Sequence, residues 1–128
     1  MLFRSQTLAE LGRILGILAT LREEFVDVFE VDELENRVHS ECLPIPILYA
    51  MEDRESARTI EKLLAKKGMT GKDIDTLVDI VFNSESVMRL KKKMQDLVAR
   101  GFHLASEIPN ENSAILLRNL AECALEDL

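Results

Sequence analysis

ELGRILGILATLREEFVDVFE, residues Glu10 to Glu30, is the stretch on which the reading of the chain turns. With Leu8 just before it, apolar residues recur at Leu11, Ile14, Leu15, Leu18, Leu21, Phe25, Val28 and Phe29. That is helical spacing held over several turns. At about 100° per residue, a second stripe runs along the helix away from this arc: Gly12, Gly16, Thr20, Glu23 and Asp27. Its first part has almost no side chain, and its last part carries carboxylates one turn apart. A helix is thus predicted from near Gln6, capped by Ser5 or Thr7, to near Glu30.

The small residues have two readings. They can let a neighbouring helix pack close, or they can leave a groove for an apolar ligand. The acids also have two readings. They can be solvated, or they can share a hard divalent cation such as Mg²⁺, which keeps water and often shares its shell with phosphate oxygens. Arg22 points toward the apolar arc, so a carboxylate partner is expected for it.

Outward from this helix the pattern stays helical. Val31 to Cys42 reads as polar and irregular, with one turn at most. Pro44 and Pro46 give a stiff entry to a short helix in LPIPILYAMED, where Pro46 suits the first turn. A helix follows from Arg54 to Lys67, with Ala57, Ile60, Leu63 and Leu64 inside and Gly68 as its stop. Thr70 and Asp73 make a capping arrangement for Gly71–Phe82. A long helix runs from Glu85 to Glu107 with Gly101 inside it, permitting close packing or a kink. The last, Ser113 to Glu126, is expected to bury Ile115, Leu116, Leu120 and Leu125. No strand pattern occurs, so the chain is expected to be a single all-α domain over 1–128, a helical bundle of five to six helices.

Composition agrees. The chain has 128 residues, 47% hydrophobic and 30% charged, enough apolar material for a core and too much for a disordered tail. The net charge of −7 argues against a nucleic-acid partner, which needs a basic face. The one basic run, Arg89, Lys91, Lys92 and Lys93, is a solvated face or an anion-binding patch. Cys42 and Cys123 are far apart and in no metal-type spacing, and Met1–Arg13 lacks a signal-peptide pattern, so a cytoplasmic chain with free thiols is expected. The apolar region from Leu8 to Leu21 is broken by Glu10 and Arg13, and no membrane span is expected. His39 and His103 have no companions at catalytic or zinc spacing, and the methionines read as core filler.

With these residues in view, the chain resembles the C-terminal portion of trans-isoprenyl diphosphate synthases. Arg22, Glu23, Glu24 and Asp27 form an E-E-x-x-D variant of the family's second D-D-x-x-D motif, and Ile45 to Met51, IPILYAM, is similar to its L-P-L-I-Y-A-L segment. SVMRLKKKMQDLVARGFHLASEIPNENSAILLRNLAE is similar to its late pair of helices around a Leu-Pro-like break. The resemblance implies the isoprenoid-synthase fold and head-to-tail prenyl transfer from an allylic diphosphate to isopentenyl diphosphate. It also implies Mg²⁺ at Glu23 and Asp27, with Glu24 at or near the metal, and an apolar groove along Gly12, Gly16 and Thr20. The family's other aspartate-rich motif has no counterpart here, Thr20 stands for its usual Gln, and Glu41-Cys42 stand near its Gly-Lys pair. Arg37 is then the candidate to meet diphosphate.

These features leave three expectations. The chain is the C-terminal half of a prenyl diphosphate synthase that needs a partner or missing half for activity. Or it is a non-catalytic helical subunit that binds and regulates such a synthase. Or it is an unrelated helical adaptor. The wide apolar arc of the first helix predicts a homodimer or a heteromer.

Overall fold

The computed structural model describes residues 2–40, 42–126 and 128, with side chains from Ser5 onward. Glu41 lies outside the described residues. Among them the protein is all-α, with the order α1 (Leu2–Phe29), α2 (Val31–Ser40), α3 (Ile45–Ala50), α4 (Arg54–Leu64), α5 (Gly71–Phe82), α6 (Glu85–Ser106) and α7 (Glu111–Cys123). No helix is long and apolar enough to cross a membrane among those residues.

Among the described residues seven helices stand where five to six were expected, and the addition is α2. Its apolar residues Val31, Leu34 and Val38 keep helical spacing, with only Leu34 fully buried. Asp32 and Glu33 occupy its first turn and Arg37 and His39 its last, the arrangement that complements a helix dipole. The segment is therefore helical rather than irregular. The first helix also begins earlier than expected. Ser5 and Thr7 lie inside α1 rather than capping it, and the buried Thr7 hydroxyl donates to Glu107 at 3.3 Å.

The chain falls into two compact units. One comprises residues 1–22 and 92–128, the other Glu23–Lys91. In the first, Leu11, Ile14 and Leu18 of α1 are buried, as are Met94, Val98, Leu104 and Ala105 of α6. Gly101, also buried, faces Leu11, Ile14 and Ala121, so the small residue serves close helix packing. Helix α7, capped by Asn110 accepting from the Ser113 amide at 3.0 Å, turns inward through Ala121. Ala124, just past its end, is also buried. This corrects the expected buried side. Ile115, Leu116 and Leu120 are 49%, 60% and 52% exposed, and Leu125 is only half-buried. α7 is apolar on both sides, so periodicity alone could not choose between them.

The second unit buries Phe25, Val28, Leu34, Ile47, Ile60, Leu77, Val81 and Val87 completely. α5 packs on both α3 and α4. Its start carries the full capping box: Thr70 Oγ1 accepts from the Asp73 amide at 3.2 Å, and Asp73 accepts from the Thr70 amide at 3.0 Å. Asp53 caps α4 by accepting from the Ser56 amide at 3.0 Å. Gly68, at φ +77°, takes the left-handed turn after α4, a backbone conformation that costs a side-chain-bearing residue but not glycine.

Candidate functional site

Glu24 and Asp27 stand three residues apart on α1, one turn from its end, so their carboxylates share a side of the helix. Glu30 is the single residue between α1 and α2, and its carbonyl accepts from Leu34 at 2.9 Å, starting α2 at once. One and a half turns later α2 presents Arg37 back to those acids. Arg37 Nη1 donates to Glu24 Oε2 and, at 3.0 Å, to Asp27 Oδ2, while Nη2 reaches Glu24 Oε1 at 3.3 Å. Nε donates to the Cys42 carbonyl at 2.9 Å. One guanidinium thus fastens three pieces of backbone: the end of α1, α2 itself and the segment after it.

The side chains of Arg37, Glu24 and Asp27 are 13%, 17% and 21% exposed. At that burial the pairs are little screened, unlike a surface salt bridge. The Glu24 hydrogen bond, then that from Asp27 and the charges of both acids, hold the already basic guanidinium further above its ordinary value, outweighing the opposing effect of burial. Its planar fork suits a bidentate carboxylate.

The resemblance brought Glu23, Glu24 and Asp27 together as metal ligands. In the structure Glu24 and Asp27 meet at Arg37, and Glu23 is exposed. Arg37, the candidate for diphosphate, is held by the acids. Mg²⁺ asks for near-octahedral oxygen ligands at about 2.0–2.1 Å. Both oxygens of Glu24 and Oδ2 of Asp27 instead accept from Arg37 N–H donors, and among the described residues no three His, Cys, Asp or Glu side chains are placed to hold a metal. This donor set does not fit Mg²⁺.

In the other unit, a Cβ placed on Gly12 or Gly16 would meet nothing within 4 Å, and both glycines are exposed. Gly16 and Thr20 line an open hollow of about 450 Å³ with Arg13, Ile17 and Leu21, three residues that the stripe alone did not indicate. Thr20 donates to its own helix at the Gly16 carbonyl, 2.9 Å away. Among the described residues, Arg22 has backbone rather than carboxylate partners: its Nη1 donates to the carbonyls of Glu126 at 2.6 Å and Ala124 at 3.4 Å. It thereby satisfies carbonyls just past the end of α7, where a cation is favourable. A second hollow of about 310 Å³, mostly apolar, is lined by Leu15, Leu18, Ala19, Leu120 and Cys123 beside Arg22.

Arg89, Lys91 and Lys92 of the basic run have local partners. Lys91 lies 4.3 Å from the ring centre of Phe82, and its partial burial lowers its pKa. Arg89 pairs with Glu85 at 3.8 Å, and Lys92 with Asp96 at 3.1 Å. Cys42 and Cys123 are free and exposed.

No family model, curated protein or solved structure matches the chain. The class defined by the fold is that of an all-α helical protein.

Proposed function

We propose that the chain is a non-catalytic helical subunit that binds and regulates a trans-isoprenyl diphosphate synthase. The observation that carries this is the apolar outer side of α7, where Ile115, Leu116 and Leu120 are all about half or more exposed. A cluster of that kind is characteristic of a surface covered by a partner. The resemblance of E-E-x-x-D and of Ile45–Met51 to synthase segments supports a synthase as that partner. The occupation of Glu24 and Asp27 by Arg37 supports the absence of catalysis by the chain itself.

The test is to mix the chain with a trans-isoprenyl diphosphate synthase encoded in the same genome. Sedimentation should show a heteromer, and the synthase's product length or stability should shift. Leu120→Lys should remove both effects. Co-sedimentation absent at micromolar concentrations, with unchanged products, rejects the regulatory role.

The open hollow at Gly16 and Thr20 favours a second reading. In it the chain supplies the apolar groove of a composite prenyl transferase. A partner or missing half supplies the other acidic motif and the Mg²⁺ that grips the allylic diphosphate for attack by isopentenyl diphosphate. Isothermal titration of an allylic diphosphate with and without Mg²⁺ separates the two. Binding of the diphosphate by the chain, lost when Gly16→Phe fills the hollow, favours catalysis, and no binding favours the regulatory subunit.

A further inference from the structure

The acidic motif already has a cation of its own. Glu24 and Asp27 converge on one guanidinium, and that guanidinium also holds the Cys42 carbonyl. We infer that Arg37 takes the place of a divalent metal at the E-E-x-x-D sequence, as a permanent internal counter-ion that locks α2 and the Cys42 segment onto the end of α1. The chain accordingly takes no Mg²⁺ through these acids. This concerns the chain's own residues and holds under either reading of its function.

Three observations support it together. The geometry is chelating: Glu24 is engaged through both oxygens, and Asp27 through Oδ2. The site is enclosed, with Arg37 only 13% exposed. A metal entering there would have to break both carboxylate contacts and leave the arginine's charge out of water without them, a strongly unfavourable exchange. Finally, Mg²⁺ gives up its own water reluctantly, and Glu23, the acid that would have to complete a site, is exposed rather than gathered with the others. An arginine needs no loading from solution and stays charged at any physiological pH. The acids that resemble metal ligands in sequence therefore become structural fasteners.

The decisive measurement uses the intact wild-type chain and Mn²⁺, whose free form is counted by electron paramagnetic resonance. Wild type should bind no more Mn²⁺ than the Glu24→Gln/Asp27→Asn double variant. Its melting temperature should be the same in MgCl₂ as in EDTA at matched ionic strength. Submillimolar Mn²⁺ binding by wild type that disappears in Asp27→Asn overturns the inference. Arg37→Met should melt roughly 5 °C or more below wild type, and an unchanged melting temperature overturns the locking role. Should Arg37→Met fail to fold, the Mn²⁺ count on wild type still decides whether a metal binds, and Arg37→Lys, which keeps the charge but loses the fork, tests the lock by the same melting shift.

Discussion

A Cβ added to Gly101 would stand 3.7 Å from the Cβ of Ala121, an ordinary van der Waals separation. The approach of α6 to α7 therefore leaves room for one methyl group and little more. Leu11 and Ile14 of α1 lie at the same distance. Gly101→Ala should stabilise the protein by about 0.5–1 kcal/mol, because glycine in a helix interior costs about that relative to alanine. Urea unfolding checks this, and Gly101→Leu should reverse the sign by overpacking.

The three acids of the motif should separate by role. Glu24→Gln and Asp27→Asn each weaken the hold on Arg37, and each should destabilise by about 1–3 kcal/mol. Glu23→Gln touches an exposed side chain and should stay within about 0.5 kcal/mol of wild type. Equal losses at all three positions in chemical denaturation would contradict the arrangement described.

Asp73 sits at the start of α5, where Lys66 Nζ at 2.7 Å and then the Thr70 amide bring its pKa down from 3.8 to about 2. The folded state thus holds the carboxylate ionised more strongly than the unfolded chain. Its contribution to stability is complete above pH 3.8 and is lost as the pH falls from there through about 2. A carboxyl carbon titration by NMR should place the Asp73 midpoint near 2. Lys66→Met should raise that midpoint toward the ordinary value.

Leu116 and Leu120 face solvent on α7, so replacing them with lysine removes little from the unit's own packing. Leu116→Lys/Leu120→Lys should keep the wild-type melting temperature within a few degrees while abolishing association seen by sedimentation. A large fall in melting temperature would mean that these side chains support the fold.

The sequence carried most of the helices because their local signals and their tertiary surroundings agree. Thr70 and Asp73 mark the start of α5, and Ile74, Leu77 and Val81 mark its buried face. α2 was less legible, since one fully buried residue, Leu34, anchors it among polar neighbours. α7 misleads in another way: Ala121 and, just past its end, Ala124 turn inward while Ile115, Leu116 and Leu120 stay outside, so side-chain hydrophobicity points to the wrong face. At the candidate site, the acids themselves were plain. Their partner was not, because Arg37 reaches Glu24 and Asp27 only after the chain turns back at Glu30, and no helical periodicity spans that turn. Arg22 shows the same limit, finding backbone carbonyls more than a hundred positions away.

The exposed thiols of Cys42 and Cys123 belong one to each compact unit. Nature has thus provided a matched pair of attachment points for maleimide dyes. Energy transfer between a donor and an acceptor placed there would follow any rearrangement on partner docking without a single engineered residue. The Cys42 dye would also report locally on release of the Arg37 bond to its carbonyl.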